Sequence, residues 1–159
     1  MRRLSIFWLP VILLVIHSID EVVTGFPQWA TEHFGTTTVP FFIYTHIPIL
    51  LIMIVTSYFA ARNKGGAVWR VLSAVWIVMF AVNGLFHLLT SIVFREFTPG
   101  IISALVILFP LCYIFVREIL SKKLISEKQF RLALLGGVAA YLLGVASLWF
   151  DGNSGWGLF

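Results

Sequence analysis

Leu13-Leu14-Val15-Ile16-His17-Ser18-Ile19-Asp20-Glu21-Val22-Val23-Thr24 reads as hydrocarbon interrupted by one imidazole and two carboxylates. The run is apolar enough to sit in lipid, and three of its members are groups that lipid penalises. An ionisable side chain near the centre of a membrane helix costs roughly 2.5–3.5 kcal/mol on insertion scales, so such groups mark functional sites. The fold class follows from the apolar residues and the candidate site from the exceptions.

The whole chain has the same character. Of its 159 residues, 60% are hydrophobic and only 11% charged, with a mean hydropathy of +0.98. Soluble domains carry nearer a quarter charged residues. Five segments are long enough to cross a core of ~30 Å, which takes about 20 helical residues. They run approximately over 4–24, 41–61, 67–94, 99–120 and 131–150. The expected architecture is an all-α, polytopic transmembrane bundle in one domain, with four core helices and a fifth at the C-terminal end. Arg2 and Arg3 ahead of the first run imitate a secretory signal. No small-residue cleavage site follows Ile16, so the run reads as a retained helix. The single cysteine, Cys112, lies mid-span and reads as a buried thiol.

Basic residues set the topology. With the N-terminus inside, Arg2, Arg3, Arg62, Lys64, Arg70, Arg117, Lys122, Lys123, Lys128 and Arg131 are all cytoplasmic, and only Arg95 lies outside. That asymmetry predicts a multi-pass protein of the plasma (inner) membrane with a cytoplasmic N-terminus. The net charge of +4 sits in short loops between apolar runs and is not a nucleic-acid footprint. The outer loop from Gly25 to Pro40 has no Lys or Arg but carries Phe26, Trp29 and Phe34. It is either a roof at headgroup level or a plain connection. His33 beside Glu32 reads as solvated, and Arg95 with Glu96 as a boundary ion pair. Pro48 and Pro110 fall inside spans, where each frees a carbonyl four residues earlier, Tyr44 and Val106. Gly136, Ala140 and Gly144 make a smooth face for helix packing.

The polar residues share a depth as well as a rarity. At 1.5 Å per residue, His17 lies about 10 Å below the outer boundary, His46 about 8 Å and His87 about 10 Å. His17, Asp20, Glu21 and Thr24 fall within an arc of roughly 100°, and Asn83, His87, Thr90 and Ser91 form a comparable stripe. Polar stripes of this kind face a bundle interior. Two chemistries fit. His17, Glu21, His46 and His87 can ligate a divalent metal, zinc or iron, with Asn83 holding a ligand from behind. Alternatively Glu21 or Asp20 is a general acid or base with His17 as partner. A self-neutralising ion pair and interhelical packing bonds are the structural alternatives.

These residues also carry a resemblance. His17-Ser18-Ile19-Asp20-Glu21, Asn83-Gly84-Leu85-Phe86-His87 and Phe97-Thr98-Pro99-Gly100 resemble the HXXEE-domain family of small prokaryotic membrane proteins, over roughly residues 10 to 120. Asp20 stands where that family has its first glutamate, and Phe97 where it has a tyrosine. The resemblance implies that these positions matter, with Asp20 the less critical carboxylate, and implies no particular reaction. Pro99-Gly100 reads as the entry to the fourth helix.

The function expected from the sequence is an enzyme acting on a lipid or lipophilic small molecule by metal-assisted or acid/base chemistry. A metal- or haem-binding or transport protein is the first alternative, and a membrane accessory subunit the second. Almost entirely apolar cytoplasmic halves weaken a through-channel.

Overall fold

The computed structural model describes residues 5–35, 37–62 and 66–153, with side chains to 146. Arg2, Arg3, Lys64 and the tail beyond Asn153, which enter the topology reading, lie outside the described residues. Among those residues the fold is all helix. A short 3₁₀ turn, Ile6–Trp8, leads into α1 (Leu9–Thr24), followed by α2 (Phe26–His33), α3 (Val39–Ala61) and α4 (Ala67–Phe94). The fourth span comprises α5 (Ile101–Ser103), a π-helical turn (Ala104–Leu108) and α6 (Phe109–Ser121). The last helix is α7 (Glu127–Asn153). Five helical stretches are long and apolar enough to cross a membrane.

Local chemistry sets the boundaries. Pro10, Pro27 and Pro40 sit in first turns, where a missing N–H is free of penalty. Gly25 ends α1 at φ +89°, and its N–H reaches the Glu21 and Val22 carbonyls, a left-handed cap. Ser126 and Gln129 bond each other's backbone N–H groups at the start of α7, a reciprocal capping pair. Pro110 lies in the first turn of α6 because the preceding turn is wound as π-helix, which absorbs the backbone bond it cannot make.

The central helix is α4, which at 28 residues runs about 42 Å and exceeds the lipid core. It packs against α7 most extensively, then α3, then the π-helical turn and α6 of the fourth span. Leu13, Met53, Ile77, Leu108 and Phe115 form the apolar interior. Ile19, Val23, Leu51, Val93, Val106 and Leu135 are exposed on the outside, as a lipid-facing surface requires.

Three expectations are corrected. The α7 packing face is Ala133, Gly137 and Tyr141, one residue round from Gly136, Ala140 and Gly144. A Cβ at Gly137 would lie 2.6 Å from Val78 and 2.8 Å from the Val75 carbonyl, whereas one at Gly144 meets nothing within 4 Å. The outer loop, for which a roof and a plain connection were both open, is largely a helix, α2, with Pro27, Trp29 and Ala30 buried against the bundle. Glu96 does not pair with Arg95. Arg95 caps α4 in the left-handed conformation, and the chain turns Glu96 toward α2. There it accepts from Trp29 Nε1 and lies 3.1 Å from His33 Nε2. His33 is therefore a partner in fastening α2, with 19% of its side chain exposed.

Candidate functional site

His17 and Glu21 stand one turn apart on α1, a spacing that puts both side chains on one face. His87 reaches the same point from α4. His17 Nε2 lies 3.4 Å from Glu21 Oε1, and His87 Nε2 lies 3.2 Å from the same oxygen. All three are buried among the helices, with His87 fully so. One ligand atom from each falls within 4.8 Å of the others.

The bonds around His17 have a consistent direction. Ser103 Oγ has a single hydrogen and donates it to Asp20 Oδ2 at 2.6 Å, while its N–H reaches the same oxygen at 3.1 Å. The Oγ is then the acceptor for His17 Nδ1, 2.7 Å away. A neutral His17 thus carries its proton on Nδ1 and its lone pair on Nε2. Asn83 Nδ2 donates to that Nε2 at 2.7 Å, and Tyr141 O–H donates to Asn83 Oδ1 at 3.0 Å. The chain Tyr141–Asn83–His17–Ser103–Asp20 ties α7, α4, α1 and α5 together and fixes the ring. Ser103 and Asp20 are partners of the kind that orient a ligating histidine and set its tautomer, whereas Asn83, expected behind a ligand, instead occupies the nitrogen that faces Glu21.

A glycine closes the cluster from the side. Gly100 has φ +92°, and a Cβ there would lie 2.8 Å from His87 Cε1 and 2.9 Å from Glu21 Cγ. Only a residue without a side chain lets the backbone approach this closely. Its N–H donates to Thr24 Oγ1, and Thr98 beside it bonds Thr90 and Ser91 on α4. The segment before α5 is therefore bolted to both α1 and α4. Above, the Phe26 ring of α2 lies 5.6 Å from His87. With Pro27, Trp29 and Ala30 buried, α2 covers the cluster on this side.

Of the residues picked from the sequence, His17, Glu21, Asn83 and His87 come together. Asp20 lies one step away and acts on His17 through Ser103. His46 is not part of the group. Its Nδ1 bonds the Phe42 carbonyl of its own helix at 2.7 Å, and its ring stacks on Phe42 at 4.0 Å. Its ring contacts lead to His87 only through two others, Phe42 to Phe26 at 6.0 Å and Phe26 to His87 at 5.6 Å. Ser103, Tyr141 and the true role of Gly100 escaped the sequence reading. The available signal was polarity inside apolar spans for the first two.

The donor set suits a metal. Bonds of ~2.0–2.2 Å place tetrahedral donor–donor edges at about 3.3–3.6 Å; the two edges to Glu21 Oε1, 3.4 and 3.2 Å, are close to this, while the cluster as a whole spans 4.8 Å, so the two imidazoles would draw together around an ion. Among the described residues no fourth His, Cys, Asp or Glu joins, which leaves a coordination position open. His87 Nδ1 is buried without a hydrogen-bond partner. The histidine rings meet edge to face with centroids 5.1 Å apart, in direct contact, so no porphyrin fits between them.

Residues 8–115 match the model of a family described as proteins of unknown function with an HXXEE motif, and the chain belongs to that family. No curated protein and no solved structure matches it. The matched region contains His17, Asp20, Glu21, Asn83, His87, Gly100 and Ser103, and Tyr141 lies beyond it.

Proposed function

We propose that this member of the HXXEE-motif family is a membrane enzyme that acts on a lipid or other lipophilic small molecule. In this reading His17, Glu21 and His87 hold a divalent metal, zinc or iron, and the site opens toward the outer leaflet. The observation that carries it is the buried convergence of two imidazoles and one carboxylate with a position left over. Three protein ligands and an open place characterise catalytic rather than structural zinc sites. Such a metal polarises a carbonyl or lowers the pKa of a bound water.

The chain's own residues supply the rest. Ser103 and Asp20 hold the His17 ring, Glu21 offsets the positive charge, and the α2 roof with its Phe26 ring excludes bulk water. The burial of the cluster among apolar helices favours a substrate dissolved in the bilayer. The ten-to-one distribution of basic residues supports an N-terminus on the cytoplasmic side of the plasma (inner) membrane.

One observation favours a second reading. Asn83 donates into the Nε2 lone pair of His17, the same lone pair a metal needs. With Asn83 in place the cluster is set for metal-free chemistry, in which Glu21 moves a proton and His87 is its partner. Elemental analysis of the purified protein decides between them. Its companion is mass spectrometry of membrane lipids incubated with the protein or with Glu21→Gln. Stoichiometric metal and turnover, both lost in Glu21→Gln, support the metal reading. Turnover that resists chelators but is lost in Glu21→Gln supports the acid/base reading. Neither metal nor turnover would leave the accessory-subunit alternative.

A further inference from the structure

The fastening of α2 turns on one proton. His33 Nδ1 lies 2.9 Å from the Trp29 carbonyl oxygen, which can only accept, so Nδ1 carries a hydrogen. The other ring nitrogen, Nε2, lies 3.1 Å from Glu96 Oε1. A neutral imidazole has a single N–H, already spent on Trp29, and would turn a bare lone pair toward the carboxylate. Lone pair and carboxylate repel at that distance. The contact is favourable when His33 is an imidazolium, with a hydrogen on both nitrogens. Its surroundings agree. The Trp29 and Phe94 rings lie 4.6 and 4.3 Å from the imidazole, inside the ~6 Å at which an aromatic ring attracts a cation.

No other charge competes for the pair. Glu32, next to His33 on α2, and Arg95, next to Glu96 at the end of α4, are both exposed. Among the described residues neither forms an ion pair. Toward the imidazole α4 presents only the Phe94 ring. Glu96 in turn gathers two side chains of α2, because it also accepts from Trp29 Nε1. Glycines bracket the helix, Gly25 at φ +89° before it and Gly35 at φ +144° after it. Small residues at the ends of an element are where hinge rotations are absorbed. Between them α2 carries Phe26, whose ring lies against His87 of the cluster.

We infer that α2 is a proton-operated lid over the cluster, latched by His33 and Glu96. The imidazolium holds it shut, and loss of the proton loosens it. The pair is open to solvent, with 19% of the His33 side chain and 44% of the Glu96 side chain exposed, so the pH of the medium reaches it directly. Closure takes up the proton, so acid favours it. It weakens as pH rises through the range, about 5 to 8, in which histidines change charge. The inference goes beyond the enzymatic reading and does not need it. The lid controls entry to the cluster from this side whether the cluster holds a metal or moves a proton.

The test is thiol accessibility in the full chain in nanodiscs, on a Cys112→Ala background. Ala30→Cys puts a thiol on the buried side of α2 and Gln28→Cys one on its exposed side. The ratio of their rates with a methanethiosulfonate reagent cancels the pH dependence of the thiol chemistry itself. Between about pH 5.5 and about pH 8 the ratio of Ala30→Cys to Gln28→Cys should rise about three- to fivefold, the worth of a part-exposed ion pair. His33→Phe keeps a ring between Trp29 and Phe94 and should hold the high-pH ratio throughout. Glu96→Gln keeps an acceptor for Trp29 without the charge and should flatten the profile. A purely structural contact would lower thermal stability in both variants and leave the profile as it was. A ratio that does not move with pH in the chain with His33 and Glu96 intact would overturn the inference. So would a profile that survives Glu96→Gln, because the proton would then act elsewhere, and this variant decides alone if His33→Phe does not fold. Accessibility is read without turnover, so the two proposals fail separately. A static lid on an active protein removes the latch and keeps the enzyme, and a working lid with neither metal nor turnover does the reverse.

Discussion

Replacing Gly100 by alanine tests the cluster geometry without removing a polar group. Two penalties follow from the structure. At φ +92° a side chain sits in the left-handed region, which costs about 1–2 kcal/mol. The new Cβ would also lie 2.8 Å from His87 and 2.9 Å from Glu21, against ordinary contacts of 3.4–4 Å, an overpacking of about 1–3 kcal/mol. The sum is about 2–5 kcal/mol.

Gly25→Ala provides the control. Its φ is +89°, nearly the same strain, but the nearest atom to a Cβ there is Gln28 Oε1 at 3.8 Å. The difference between the variants isolates the contact with His87 and Glu21. Thermal unfolding in detergent, followed by tryptophan fluorescence, should show Gly100→Ala losing about twice as much as Gly25→Ala. Cobalt binding, read from its visible absorption, should weaken by 10- to 100-fold in Gly100→Ala, as it does when the supports of metal ligands are disturbed. Gly25→Ala should leave it unchanged. If the two variants matched in both measurements, Gly100 would be no more than a turn residue, and the tight cradle around His87 and Glu21 would be wrong.

Other expectations concern the remaining parts of the site and the topology. His17→Leu with Glu21→Leu should give a folded, membrane-inserted protein without metal or activity, because apolar isosteres replace a buried polar pair with little loss of stability. Glu21→Gln should be nearly as damaging in lipid turnover, whereas Asp20→Asn, which keeps an acceptor oxygen for Ser103, should be milder; the reverse order would reassign the two carboxylates. Tyr141→Phe should lower stability by about 0.5–1.5 kcal/mol and change cobalt affinity by releasing Asn83; an unchanged cobalt spectrum and affinity would detach α7 from the site. Reporter fusions at Lys64 and Lys122 should read cytoplasmic and those at Thr37 and Asn153 extracytoplasmic, and a cytoplasmic signal at Asn153 would remove the fifth span.

The spans were legible because lipid imposes a length and a hydropathy on each, whatever packs against it. Rotation about a helix axis is a different matter. On α1 and α4 polar residues mark the inward face, so His17, Glu21, Asn83 and His87 could be assigned to one place. On α3 the residues one turn from His46, Phe42, Ile43, Ile49 and Leu50, are all apolar, so no polar stripe marks the inward face and depth alone supplies one coordinate out of three. His46 therefore shares the layer of the cluster but not its position. On α7 the run Gly136-Gly137-Val138-Ala139-Ala140 offers two smooth faces. The choice between them is made by α4, where Val75 and Val78 approach Gly137. Likewise the backbone sign at Gly100 depends on a turn closed by Thr24, Thr90 and Ser91, none of them near it in sequence.

The paired acids of the motif illustrate how a helix divides labour between neighbours. Successive residues are 100° apart on an α-helix, so Asp20 and Glu21 cannot both face the point where His17 and His87 meet. Glu21, four residues from His17, is nearly in phase with it and enters the cluster. Asp20, three residues away on the other flank, faces α5. There a short side chain is an advantage. Asp20 Oδ2 takes both the N–H and the O–H of Ser103, and the second of these leaves Ser103 able only to accept from His17. The aspartate thereby decides which nitrogen of His17 is left with a lone pair, although it never touches the ring. A glutamate at position 20 would carry one more methylene and have to fold back to make the same two bonds. The departure from the family motif falls on the acid that positions the cluster, and the acid inside it is kept.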